Sequence, residues 1–535
     1  MNDGFLITGG TVLDGSGRPA VRRDVRLRGG LIAGVADRLD PAPGETVVDA
    51  AGLEILPGFV DVHAHDDAAL LRPGAMDPKL SQGVTTTVIG NCGHGCAPTG
   101  DRAMIEEYSR AVLGDFPAQR FDTFPRFLSA LDRAPLRTHA IALVPHGPLR
   151  AAVLGPQRRA ARDEEVDAIC GGLDDALAAG AAGLSLGLMY SPGNAAGPEE
   201  LRRIAGTVAK RGKLLVAHIR NEADHLERSL REFLDLGRGT DCALHVSHLK
   251  VTGPDNFGTM PRIIALLDEA RAAGLDVTAD VYPYSAGSTT AITLFPSWAA
   301  DRGAASLLEA LEDPAARRRI LDEVRAPWEG PLENYFASLG PANLLLAGFA
   351  LAEHAEHEGR SLAQIAELRG QDAAECLADL MLAEEAGLTV VLFQTDIAGM
   401  ETALSWPHTL VGSDGLPRER GYVHPRLFGT FPRVLSRYAG PGAPLSREEA
   451  VHRMSSASAR RFGLAERRIA PGCAADLQII DPAVYRDTAD FGDPRGLTAG
   501  LEQVFLAGRP AWRSGRPTGV DAGVAYRIDE IGRTS

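Results

Sequence analysis

Six side chains able to bind a divalent transition metal stand at the ends of short apolar runs, and they are the chemically most capable residues in the sequence. His63 and His65 end "GFVDVHAH" (58–65), and Cys92 follows "VTTTVIGN" (84–91). His218 lies in "KLLVAHI" (213–219), His248 in "CALHVSHL" (242–249) and Asp414 in "HTLVGSDG" (408–415). A lone histidine in a core strand is ordinarily a hydrogen-bonded packing residue. Four histidines, a thiol and a carboxylate at the ends of such runs fit a metal centre better, and imidazole with thiolate suits zinc. His63 and His65, two apart on a strand, point to the same side. The stretch "VIGNCGHGCAP" (88–98) carries two cysteines four apart. A zinc knuckle of its own would need another Cys or His pair close by, and none follows. A disulfide is disfavoured by the compartment expected below. Cys92 is therefore expected as a ligand, and His94 and Cys96 as loop residues.

The elements that must position these residues alternate along the chain. Beside the five runs above, "HAIALVPHG" (139–147), "GLSLGLMY" (183–190) and "LDVTADVYP" (275–283) read as strands, and Ala-, Leu-, Arg- and Glu-rich helical stretches separate most of the eight. Eight βα units predict an α/β fold, a closed (β/α)8 TIM barrel whose strand ends open on one face and so bring distant residues together. The gap from 284 to 407 is too long for one connection. It predicts an insertion between strands 7 and 8, with about 285–350 as a candidate lid over the mouth. Residues 1–57 and 465–535 alternate apolar and polar residues between glycine turns, and each alone is too short for a good core. Together they predict a small β-sandwich domain built from both termini, beside a barrel domain over 58–464.

Composition narrows the classes further. The net charge of −15 argues against non-specific nucleic-acid binding, and no apolar run approaches a membrane-spanning length. Six scattered cysteines make no disulfide framework, and the N-terminus has no signal-peptide pattern. The expectation is a cytoplasmic protein with a small-molecule partner and neither nucleic-acid nor membrane partners.

The motifs "LPGFVDVHAHDD", "GNCG", "AHIRNE", "SHLK", "DVYPYSAGST" and "VGSDGLP…HPRLFGTFPRVL" resemble those of the amidohydrolase superfamily, and within it the N-acyl-D-amino-acid deacylases, or D-aminoacylases. The likeness covers essentially the whole chain, with "APGCAADLQIIDP" matching the returning β domain. Many amidohydrolases bridge two metals with a carboxylated lysine. The lysines here are Lys79, Lys210, Lys213 and Lys250, and none is placed for that bridge. The resemblance implies that Cys92 takes its place. It further implies that Cys92, His218 and His248 hold one tight Zn²⁺, with His63, His65, Cys92 and Asp414 forming a second, weaker or empty site. Tyr190, Lys250, Tyr282, Ser288 and Arg426 match positions that hold the substrate carboxylate and nearby polar atoms. Arg offers a two-pronged fork for a carboxylate and Lys a point charge. A longer stretch, "RERGYV", departs from the family pattern and could offset Arg426.

The resulting expectation is a hydrolase of the amide bond of N-acyl-D-amino acids. Zinc lowers the pKa of a bound water to about 7, giving a hydroxide, while Asp414 serves as general base and then as acid to the leaving amine. His146, at the end of "VPHG", is a candidate for the site wall or for a structural role. A cyclic-amide hydrolase of the hydantoinase or dihydroorotase type shares the fold and the water chemistry. A deaminase commonly carries a Glu soon after the fifth-strand His, and Glu222 stands four after His218. A non-catalytic relative is the reading from another class, and the full set of ligands speaks against it.

Overall fold

The computed structural model describes residues 4–532 apart from 73, 101, 156, 301 and 329. Its centre is a sheet of eight parallel strands, in chain order Phe59–Asp61, Val84–Ile89, His139–Pro145, Gly183–Gly187, Leu214–His218, Ala243–Val246, Val277–Val281 and Thr409–Val411. All eight coincide with the runs expected from sequence. The first and last meet through a parallel bridge between Ala64 and Gly415, which closes a TIM barrel. These strands read as continuous apolar runs because both their faces are buried. Val60, Val88, Ile141, Leu143, Val216 and Leu410 meet inside the barrel with Phe462 and Ile528. The alternate residues, such as Leu215 and Leu244, pack outward against the helices. Leu226–Thr240 shows the matching pattern, burying Leu226, Leu230, Phe233, Leu234 and Gly237 on one stripe.

Both termini contribute to one nine-stranded sheet. Glu54–Pro57 pairs antiparallel with Leu477–Ile480, joining five N-terminal strands to four C-terminal ones. The sheet curls until Leu31 bridges Ala474, wrapping Ile7, Val25, Ile55, Leu477 and Phe505. Neither half has enough apolar surface to stand alone.

The insertion between the seventh and eighth barrel strands fills the 284–407 gap, and its elements continue beyond the 285–350 stretch read as a candidate lid. Its three-stranded antiparallel sheet has Thr389–Phe393 in the middle, flanked by Ala286–Thr290 and Leu344–Ala347. Helices including Ala304–Glu312, Pro314–Arg325 and Ala373–Ala383 share its core. Met189, Tyr190 and Cys92 of the barrel belong to that same core, so the insertion is packed onto the barrel mouth.

Candidate metal centre and substrate cavity

The strand ends turn sharply at the site. Cys92, His248 and Asp414 have φ of 53°, 34° and 50°, the left-handed region that non-glycine residues rarely adopt. That turn redirects each side chain from the strand into the mouth, and such backbone tends to gather at functional sites. His63 and His65 flank Ala64, whose N–H donates to the Val88 carbonyl at 3.0 Å, and both face the same cluster.

Cys92 is the centre of that cluster. Its Sγ lies 3.2 Å from His63 Nε2 and 3.4 Å from His248 Nε2. Cys92, His218 and His248 offer donor atoms within 4.8 Å of one another, as do His63, His65 and Cys92, and His63, His248 and Asp414. Burial alone would raise the Cys92 thiol, but His63 and His248 outweigh it and hold the pKa well below the usual thiol range. Asp414 is likewise held well below the usual carboxylate range: Arg426 and His63 overcome its burial. His65 Nε2 lies 3.0 Å from Asp414 Oδ1, and His63 Nε2 lies 3.4 Å from the same oxygen. His218, buried, is pushed down below the usual imidazole range by that burial. A thiolate, a carboxylate and imidazole nitrogens converge within ligand distance of one another. That donor set fits zinc.

Buried carboxylates orient the imidazoles from behind. Asp280 lies 3.2 Å from His63 Nδ1 and 2.9 Å from His245 Nε2, and accepts from the backbone N–H of His248 at 2.9 Å. Glu222 Oε1 lies 3.0 Å from His248 Nδ1, while Oε2 pairs with Lys250 Nζ at 2.5 Å. With a proton on Nδ1 donated to its carboxylate, His63 or His248 would present Nε2 to a bound ion once the ion has displaced the second ring proton. Sequence reading missed Asp280 and gave Glu222 only to the deaminase alternative. The available signal was a carboxylate inside a fully buried strand, "VTADV", which demands a partner.

The cluster opens into a cavity of about 400 Å³. All five residues matched to substrate positions line it: Tyr190, Lys250, Tyr282, Ser288 and Arg426. Arg426 is not displaced by the longer "RERGYV" stretch. It is fully buried, with its guanidinium 4.7 Å over the Tyr282 ring, Nη1 2.9 Å from Asp414 Oδ2, and Nη2 donating to the Ser288 carbonyl at 2.9 Å. Tyr190 shares a hydrogen bond of 3.1 Å with Thr289 Oγ1 and packs its ring 4.8 Å from that of His218. His94, expected as a loop residue, is buried in the same wall, its ring 4.8 Å from Tyr190. Cys96 is buried but belongs to no metal-competent cluster among the described residues. His146 lies outside the cavity wall and bonds Glu200 at 3.0 Å beside Arg150, a structural arrangement. Lys79 is buried too, with Nζ on Asp61 at 2.6 Å and Ser413 at 2.8 Å, away from the thiolate. No described helix is long and apolar enough to cross a membrane.

Comparison with known proteins agrees with this architecture. Residues 46–511 match the sequence profile of the amidohydrolase family. The chain is 36% identical over 520 residues to a D-aminoacylase of Alcaligenes xylosoxydans xylosoxydans, covering 97% of this chain and 96% of the relative. It is 36% identical over 532 residues to an N-acyl-D-glutamate deacylase of the same organism, with 97% of each chain covered. A solved N-acyl-D-glutamate deacylase of Bordetella bronchiseptica, complexed with zinc and a phosphonate inhibitor, superposes with a TM-score of 0.83 at 33% identity, over 98% of this chain and 100% of that one.

Proposed function

The chain belongs to the amidohydrolase family, and from the centre it builds we propose that it is a zinc-dependent deacylase of N-acyl-D-amino acids. The products are a carboxylate and a free D-amino acid. The observation that carries this reading is the Cys92 thiolate lying between His63 and His248, with His218 and Asp414 beside it. Cys92, His218 and His248 would hold the tighter ion, and His63, His65, Cys92 and Asp414 a second, weaker one. Zinc there would supply Lewis acidity toward the acyl carbonyl and a more acidic water.

The chain's own residues do the remainder. Arg426 and Lys250, with Tyr282 and the Ser288 region, bind the substrate carboxylate at one side of the cavity and so orient the scissile amide. Asp414 is ionised at neutral pH and hydrogen-bonded to His65 at 3.0 Å. Its carboxylate takes a proton from the attacking water and returns it to the amide nitrogen as the C–N bond breaks, so that the amine leaves neutral. The insertion contributes walls to the cavity, among them Tyr335 and Leu392. The deaminase alternative loses its main support because the Glu222 carboxylate is engaged by His248 and Lys250.

A panel of N-acetyl-D- and N-acetyl-L-amino acids, scored for released amine, tests the proposal. The expected result is release from D-substrates, lost on chelation and restored by zinc. Turnover of a hydantoin with no amine released from the panel would overturn it.

A further inference from the structure

A second cavity, about 590 Å³, borders the first at Tyr190. Its walls are mainly apolar: Met189, Ile292, Phe295, Ala300, Trp328 and Leu332. It is also close to the carboxylate end of the site. Ser288 and Thr289 line the first cavity and Thr290, the next residue on the same strand, lines the second, so the two cavities adjoin along that strand as they do at Tyr190. Two substituents of one Cα can enter adjoining cavities.

The charges around both cavities matter as much as the apolar walls. Their described Lys and Arg side chains are Arg426, Lys250 and Arg158. Arg426 and Lys250 line the first cavity, where the proposed reading gives them the α-carboxylate, and Arg158 is the described cation on the second. Arg158 donates to Asn194 Oδ1 at 3.2 Å and to the Ser297 carbonyl. Glu333, only 4% exposed, lies on the second cavity with one oxygen accepting from the Glu222 backbone N–H. A second substrate carboxylate placed there would meet Glu333, apolar walls and a guanidinium already engaged, and burying a charge so poorly paired is costly.

We propose that this second cavity receives the substrate side chain, and that the protein selects N-acyl-D-amino acids with bulky uncharged apolar side chains over acidic ones. The inference rests on the deacylase reading and goes beyond it, because the D-aminoacylase and the N-acyl-D-glutamate deacylase are equally similar to this chain.

The test is kcat/KM of the zinc-loaded protein for the N-acetyl derivatives of D-leucine, D-methionine, D-phenylalanine, D-glutamate, D-aspartate and glycine. The apolar three should exceed the acidic two by about 100-fold or more. Parity, or a preference for D-glutamate or D-aspartate, overturns the proposal while leaving the deacylase reading intact. Failure of every substrate, N-acetylglycine included, overturns both. Ala300→Trp, which fills the second cavity, separates side chain from acyl group. It should depress N-acetyl-D-phenylalanine at least tenfold more than N-hexanoylglycine. The reverse order would assign the cavity to the acyl chain and sink the proposal. The panel on the unmodified protein decides the charge preference without the variant.

Discussion

Asp414→Asn isolates the proton-transfer role from the metal role. The carboxylate faces His65 at 3.0 Å, His63 at 3.4 Å and Arg426 at 2.9 Å, with only 6% of the residue exposed. Asparagine has nearly the same shape and keeps one oxygen for a metal or water, but it cannot hold the transferred proton at neutral pH. Two consequences follow, of different size. Removing the charge leaves the buried Arg426 guanidinium without its anion, a change of ~3 kcal/mol when one partner of a buried pair is lost. At about 2.1 cal/mol/K of unfolding entropy per residue, that lowers the melting temperature of this 535-residue chain by about 3 °C. The variant therefore stays folded in an ordinary assay. Loss of a general acid–base group costs about 10²–10⁴ in rate, and here one residue serves both proton transfers, so the upper half of that range is expected. The ligands Cys92, His218 and His248 are untouched, so zinc at the tighter position should be retained. The assay combines kcat for an N-acetyl-D-amino acid, elemental zinc content and thermal melting. A kcat within tenfold of the parent, in a folded zinc-loaded variant, would show that another group carries the proton.

Further predictions concern the metal and the carboxylate. Cys92→Ala should lose zinc and activity together, and full zinc content by elemental analysis would refute the ligand assignment. Arg426→Lys keeps the charge but loses the planar fork; it should cost about 2 kcal/mol, roughly thirtyfold in kcat/KM, for the free acid. Equal slowing of an amide-capped substrate would refute the carboxylate role. Zinc binding should also release a proton. Burial and Lys250 lower the His248 pKa, but Glu222 and Cys92 outweigh them and raise it from 6.5 to about 9 in the metal-free protein. At pH 7 the ring is therefore protonated, and the ion must displace that proton, so affinity should rise with pH up to about 9. The same raised pKa contributes stability to the metal-free protein that is complete below 6.5 and lost as pH climbs through about 9. Calorimetric zinc titrations in buffers of different ionisation enthalpy measure the release, and none at pH 7 would contradict the assignment.

What the sequence determined by itself was local. A β-branched run closing on His, Cys or Asp is set by neighbouring residues, so all eight barrel strands and the six candidate ligands were legible in it. Pairing of the two termini was legible as well, because neither half could bury a core alone. Only the tertiary structure decided which groups become partners. Glu222 meets Lys250 28 positions on, Asp280 reaches back 217 positions to His63, and the Arg426 fork turns to Asp414. No periodicity encodes such contacts, since each depends on the angle at which separate strands and loops leave the barrel. His94 is the loop residue the sequence suggested, but its burial beside Tyr190 was decided by packing after the Cys92 turn. The internal pairing of the insertion was hidden for a related reason. Its strands pair across as many as 107 positions, from Ala286 to Phe393, and only their packing onto the mouth creates the second cavity.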